Sequence, residues 1–264
     1  MKRVFSLIHS SPHSQLGDIV DNTPNDIETE NAFSSLNQER SKDNLINYAK
    51  CLVKQLRYKE ALVIFNEVLS KDPNDLATLR LRAIRNMTTL CAKESLDDFL
   101  FLKANGYSED VNYQIGLSYF YLGLYEKSLY YFEECNKIST DEMKVACMYW
   151  HTIAAWRCNK EPILLSQFKI GMDIGHHIGY DAALKLFTNV LTEEIYLLLL
   201  NEEPSDLEYS IFSYGYSAYL EKNNRLTERD EVLSNIITRD TFWISFAYIA
   251  AYNDRYYEGK GRKI

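Results

Sequence analysis

The chain has 264 residues, with 29 basic and 37 acidic side chains, a net charge of −8 and 46% apolar residues. This length allows one or two domains with sizeable cores, and the apolar content excludes a wholly disordered protein. Only 10 glycines and 5 prolines occur, too few for a sandwich or barrel that turns every 8–12 residues or for Gly-rich phosphate loops. The composition therefore predicts a helical protein.

Charge and cysteine usage limit the partners and the compartment. The acidic balance opposes nucleic-acid binding, because phosphate contacts need clustered Lys and Arg. The five cysteines are odd in number and form no Cys-x-x-Cys pair, which favours a reducing, cytoplasmic compartment. The most apolar run, Ile195 to Leu200, is far shorter than the roughly 20 residues of a membrane span. We expect a cytoplasmic protein that binds neither nucleic acid nor membrane.

In chain order, residues 1–41 come first as a Ser-rich segment without sustained periodicity. It is predicted to be a poorly ordered polar leader, with at most a short helix near Phe33 to Leu36. From residue 42 the apolar residues follow the i, i+3, i+4, i+7 spacing of an amphipathic helix, as in Leu45, Tyr48, Ala49 and Leu52. A second helix follows Tyr58 and stops before Pro73.

The pattern then repeats at intervals of 34 and 33 residues. Two sets of small residues recur at these intervals. A Phe follows each member of the second set after four residues. A period of this length with a helix–turn–helix unit is typical of a solenoid. The three sets are Ala49, Ala83 and Gly116; Ala61, Ser95 and Ser128; and Phe65, Phe99 and Phe132.

These positions resemble the tetratricopeptide repeat family. The resemblance covers three repeats over residues 42–142. The third repeat, around Gly116 to Ser128, is the closest match. The second repeat is degenerate, with Arg82 and Asn86 where the family has large apolar residues. The resemblance implies an all-α, right-handed solenoid of antiparallel helix pairs. Residues 143–264 are predicted to hold divergent helix pairs and a C-terminal capping helix, giving about five to six pairs in total. Two of the helices predicted there run from Ile163 to Ile170 and from Tyr180 to Leu200.

In this family the first helix of each pair lines a concave groove that binds another protein. Transferred to this sequence, the resemblance implies a partner-binding groove that is rich in aromatic side chains, which act as anchors at interfaces. The C-terminal helices or the leader are the alternative occupants of this groove. The predicted groove residues are Ile46, Lys50, Arg80, Ile84, Met87, Tyr113, Leu117, Phe120, Tyr121, Met148 and His151. The family's carboxylate-clamp positions hold Ile46, Lys50, Ile84, Tyr113 and Leu117, of which Lys50 alone is cationic, so a clamp for a C-terminal carboxylate is not expected.

No catalytic motif stands out. The sequence has no Gly-x-Gly-x-x-Gly, Walker-type, Gly-x-Ser-x-Gly or His-Glu-x-x-His segment. We therefore expect a non-enzymatic interaction scaffold without cofactor or metal, monomeric or dimeric, that binds a peptide or helix of another protein. Two alternatives stay open: self-association, and a small-molecule or enzymatic site built from Trp150, His151, Asp173, His176 and His177.

Overall fold

The computed structural model describes residue 16 and residues 25–202, 205–239 and 243–261. Over these residues the chain is all-α, with thirteen α-helices and no strand, and each helix packs against neighbours in the sequence. None of the described helices combines the length and the apolarity that crossing a membrane requires. The chain divides into two compact units, one ending at Ser108 and the other beginning at Glu109.

The first unit is a series of helices in which each packs on the next one. Its first helix begins inside the predicted leader, where Asp26 accepts a hydrogen bond from the amide of Thr29 and caps the helix. A helix over Ile27–Gln38 thus lies within the predicted leader and includes the Phe33 to Leu36 stretch, whereas most of residues 1–24 lie outside the described part. The helices are α1 (Ile27–Gln38), α2 (Lys42–Lys54), α3 (Tyr58–Lys71), α4 (Leu76–Thr88) and α5 (Ala92–Ala104).

The second unit surrounds one long apolar helix. Every residue from Val145 to Ala155 is buried, as expected for a helix that contacts other helices on all sides. This helix, α8, contacts α6, α7, α9 and α11. The helices are α6 (Asn112–Tyr121), α7 (Tyr125–Ile138), α8 (Asp141–Arg157), α9 (Ile178–Phe187), α10 (Glu193–Glu202), α11 (Asp206–Lys222), α12 (Leu226–Thr238) and α13 (Phe246–Tyr257).

Two predicted helices differ from the structure. The segment from Ile163 to Ile170 contains only a short 3₁₀ turn, Leu165–Gln167. The predicted helix from Tyr180 to Leu200 is divided into α9 and α10, because Asn189 adopts a left-handed conformation (φ 58°) that an α-helix cannot continue through.

The predicted repeat positions occupy equivalent places in successive helices. The first set of small residues lies in α2, α4 and α6, while the second set and the three phenylalanines lie in α3, α5 and α7. All nine are buried, and the phenylalanines are fully so. At Gly116 an added Cβ would lie 2.8 Å from the Phe132 ring, so the absence of a side chain there permits the close contact.

The turns between these helices repeat as well. Leu56, Leu90 and Gly123 have positive φ values of 62°, 58° and 70°. After each of them, an amide donates a hydrogen bond to the carbonyl five residues earlier: Arg57 to Leu52, Cys91 to Asn86 and Leu124 to Tyr119. A left-handed residue with such a bond ends a helix and reverses the chain. The turns are therefore spaced by the same 34 and 33 residues as the buried positions.

Candidate functional site

A shallow groove in the first unit lies between α2 and α4. Its apolar floor is formed by Ile46 and Leu81, which are half-buried and pack on the core of the unit. The cavity measures about 330 Å³. Its lining contains two predicted groove residues, Ile46 and Lys50, together with Lys42, Asp43, Asn47, Asp75, Ala77, Thr78 and Leu81.

The charges along this groove differ in how they are paired. Lys42 and Asp75 form an ion pair with Nζ and Oδ2 2.8 Å apart, at the point where α4 begins. Burial opposes ionisation of Asp75, but the bonds from Lys42 and Thr78 outweigh it and lower the pKa of this carboxyl. Lys50 is exposed and forms no ion pair with any described residue. Of the two lysines, Lys42 is therefore paired with an acidic neighbour, whereas Lys50 is not, within the part of the chain that the structure describes.

The other predicted residues of the first unit are less accessible. Met87 is fully buried, and Arg80 and Ile84 are half-buried. The Arg80 guanidinium lies over the Phe99 ring, 5.6 Å from its centroid, so it packs within the unit. Of the predicted residues in this unit, Ile46 and Lys50 line the α2–α4 groove.

In the second unit the predicted groove residues are covered by the chain itself. The side chains are buried, and the expectation that they form an accessible wall is not met. The C-terminal helix α13 is one cover: Phe246 lies against the Tyr113 ring with the centroids 6.2 Å apart, and its carbonyl accepts a hydrogen bond of 3.0 Å from the Tyr121 hydroxyl. The buried residues are Tyr113, Leu117, Phe120, Tyr121, Met148 and His151.

Polar contacts hold α13 in this position. The Asn253 amide donates to the Tyr121 carbonyl at 3.0 Å. Asp254 accepts from the Arg157 guanidinium at 2.6 Å and from the Tyr214 hydroxyl at 2.9 Å. Burial alone would lower the pKa of Arg157, but Asp254 and its other neighbours raise it well above its ordinary value. The helix α13 is thus joined to α8 by a buried charge pair and to α11 by the hydrogen bond from Tyr214.

The hypothetical enzymatic cluster is not assembled as predicted. Trp150 and His151 are fully buried in α8. His151 Nε2 lies 3.3 Å from Glu133 Oε1 in α7, and burial lowers the pKa of the imidazole although Glu133 acts in the opposite direction. Asp173 accepts a hydrogen bond from the Gly175 amide. Within the described residues, His151 therefore pairs with Glu133 and not with the His176–His177 pair.

His176 and His177 instead meet Glu142, in the first turn of α8. Glu142 Oε1 lies 3.0 Å from His176 Nδ1 and 3.7 Å from His177 Nε2, and the two ring centroids are 4.4 Å apart. Burial, and then the neighbouring His176, lower the pKa of His177, which Glu142 partly opposes. Sequence reasoning missed Glu142, because an acidic residue 34 positions away gives no local signal.

The chain matches no protein-family model and no curated protein.

Proposed function

We propose that this chain is a non-enzymatic protein-interaction scaffold of the tetratricopeptide type, a right-handed solenoid of antiparallel helix pairs. The support is the common spacing of 34 and 33 residues shared by the buried small residues, the buried phenylalanines and the left-handed turns. Independent features with one period are typical of a repeat architecture. Repeat scaffolds serve many roles, so the binding surface must carry the functional argument.

The α2–α4 groove is the observation that carries this proposal. It combines a half-buried apolar floor, Ile46 and Leu81, with Lys50, an exposed cation that forms no ion pair with the residues that the structure describes. An extended peptide or a helix can place an apolar side chain on that floor and an acidic side chain beside Lys50. The partner segment we propose is therefore apolar with an acidic flank. The lining of this groove does not include Tyr113 and Tyr121 of the second unit, which α13 covers.

The test is selection from a random peptide display library on the purified chain, followed by affinity measurements on the selected peptides. We expect enrichment of apolar residues next to Asp or Glu. Ile46→Asp should reduce the affinity by about tenfold or more, because it places a carboxylate on the apolar floor and repels the acidic flank. Lys50→Glu should reduce it by a smaller factor, since a charge at the rim contributes less.

Val63→Asp is the matched control. Val63 lies in α3, is 66% exposed and is not part of the groove lining, so the same apolar-to-acidic change should leave peptide affinity unaltered. Circular dichroism of all variants checks that the helices remain. Equal loss in the Ile46 and Val63 variants, or none in either, would show that the peptides bind elsewhere and contradict the proposal.

A second candidate function is self-association through α10. Tyr196 and Leu200 of this helix are buried, whereas Ile195, Leu198 and Leu199 are exposed. Three exposed large apolar residues on one helix form the kind of patch that marks an interface. Beside Leu199 is a cavity of about 330 Å³ that also contains Phe212, into which an apolar side chain of a second copy can insert.

Light scattering over a dilution series tests this candidate. We expect a dimer that dissociates on dilution and that Leu198→Glu abolishes. Leu226→Glu is the control, because Leu226 of α12 is exposed to a similar extent, 53% against 58% for Leu198. A chain that stays monomeric at the highest concentration, or a dimer that survives Leu198→Glu, eliminates the candidate.

A further inference from the structure

We propose that Glu142, His176 and His177 form a binding site for a divalent transition-metal ion, of which Zn²⁺ is the favoured occupant. The three side chains come from two places in the second unit: the first turn of α8 and the segment that leads into α9. One ligand atom from each, the Glu142 carboxylate oxygen and one nitrogen of each imidazole, lie within 4.8 Å of one another. The proposal concerns binding and is independent of the groove on α2 and α4.

The distances suit a transition-metal ion after small movements. Zn²⁺ bonds to imidazole nitrogen and to carboxylate oxygen at about 2.0–2.2 Å, so neighbouring ligand atoms in a tetrahedral site are about 3.3 Å apart. Here the Glu142 oxygen is 3.0 Å from one nitrogen and 3.7 Å from the other. Both separations lie within a few tenths of an ångström of that value. The two imidazole nitrogens lie within 4.8 Å of each other, and rotation of the exposed His176 side chain can bring them closer.

The backbone at Gly175 leaves room for the Glu142 carboxylate. Gly175 has a φ of 53°, and a Cβ added to it would lie 2.5 Å from Glu142 Oε1. The carboxylate therefore occupies the space that any other residue at position 175 would fill. Asp173 accepts a hydrogen bond of 3.1 Å from the Gly175 amide, which is an Asx turn that shapes the chain before the two histidines. The Asx turn and Gly175 together allow Glu142, His176 and His177 to lie close to one another.

The donor set identifies the class of ion. Two imidazoles and one carboxylate suit Zn²⁺ and other late first-row ions, whereas Mg²⁺ and Ca²⁺ prefer all-oxygen sites. Three protein ligands leave one position of a four-coordinate ion free. Water can reach this position because His176 is 74% exposed and Glu142 is 39% exposed. A bound ion would connect the start of α8 to the segment before α9 and so stabilise the packing of these two helices.

Calorimetric titration of the EDTA-treated full chain with Zn²⁺ tests the site. We expect one ion per chain, a rise in Tm that Mg²⁺ does not reproduce, and an X-ray absorption spectrum of the Zn²⁺-loaded chain that contains nitrogen and oxygen neighbours at about 2.0–2.1 Å. Glu142→Gln, His176→Gln and His177→Gln should each weaken the affinity by more than about tenfold, because even losing an outer partner of a ligand costs 10–100-fold.

Two further variants separate this site from unspecific binding. Gly175→Ala keeps all three ligands but displaces the Glu142 carboxylate, so it should weaken Zn²⁺ while circular dichroism remains unchanged. His151→Gln removes a histidine that lies outside the cluster and should leave the affinity as it was. The proposal stands only if each of the three ligand substitutions lowers the affinity. Absence of a one-to-one complex, or binding that any of them leaves unaltered, overturns it and identifies the cluster as a surface ion pair.

Discussion

At the residue scale, the clearest feature of this protein is the contact between small and aromatic side chains in consecutive helices. Gly116 lies against Phe132, and the Ser128 hydroxyl donates a hydrogen bond of 2.8 Å to the Gly116 carbonyl. Gly116 does not have a positive φ, so backbone freedom is not the reason for a glycine here. The missing side chain instead permits the close approach of the Phe132 ring. The identity of a single residue therefore controls how near α6 and α7 can lie.

Gly116→Ala is expected to destabilise the fold. The new methyl group would lie 2.8 Å from a fully buried ring, and such overpacking costs about 1–3 kcal/mol, which exceeds the helix-propensity gain of up to about 1 kcal/mol. Urea unfolding measures the difference. In a Phe132→Leu background the same change should be neutral or stabilising, because the smaller side chain leaves room for the methyl group. Equal effects of Gly116→Ala in both backgrounds would refute this explanation.

A second residue-scale prediction concerns pH. Burial lowers the pKa of His151 in the folded chain below its ordinary value of 6.5. Between the lowered value and 6.5 the unfolded chain therefore binds more protons, and the free energy of unfolding falls as the pH falls through this window. Above pH 6.5 His151 causes no such fall in the free energy of unfolding. His151→Gln removes the titrating group, so the variant should lose less stability than the wild type between about pH 7.5 and pH 5.5.

Thermal unfolding at a series of pH values checks this prediction. His177 has a pKa shifted in the same direction and is present in both proteins, so its contribution cancels in the comparison. Parallel stability profiles for the wild type and His151→Gln would mean that the His151 proton does not differ between the folded and unfolded states.

At the element scale, α13 covers two of the predicted groove residues, Tyr113 and Tyr121. It packs on α11 and α12 and bonds to Tyr121 in α6. Its main charged contact joins Asp254 to Arg157, and both side chains are more than 90% buried. A buried pair contributes little relative to an apolar replacement of both partners, but removing one partner leaves an uncompensated charge.

Arg157→Met should therefore destabilise the chain by about 3–5 kcal/mol, because Asp254 stays buried without its cation. Arg225→Met is the matched control. Arg157 pairs with two carboxylates, Asp254 and Glu221, and Arg225 likewise pairs with two. Arg225 is 34% exposed, however, so its loss should cost no more than about 1 kcal/mol. Both values come from urea unfolding. The double substitution Arg157→Met with Asp254→Leu should recover much of the loss, and a failure to recover would contradict the role given to the buried charge.

At the scale of the whole molecule, the sequence predicts the repeat pattern but not which surfaces stay accessible. The pattern of small and aromatic residues predicted an all-α chain of packed helices, and this is confirmed over the described residues. The helix–turn–helix units were predicted, but the left-handed conformation at the turns was not. Two of the three residues that adopt it there, Leu56 and Leu90, are leucines, which carry no turn signal in a sequence. Only packing constraints impose positive φ values on such residues.

The sequence by itself determined the helical class and the buried face of each repeat helix, because helical periodicity and residue size act locally. Only the tertiary structure decided which predicted groove residues are accessible. Tyr113 and Tyr121 are covered by a helix more than 120 positions later in the chain, and His176 and His177 meet Glu142 instead of His151. These outcomes depend on long-range contacts, and a repeat pattern specifies which face of a helix is apolar but not which segment will cover it.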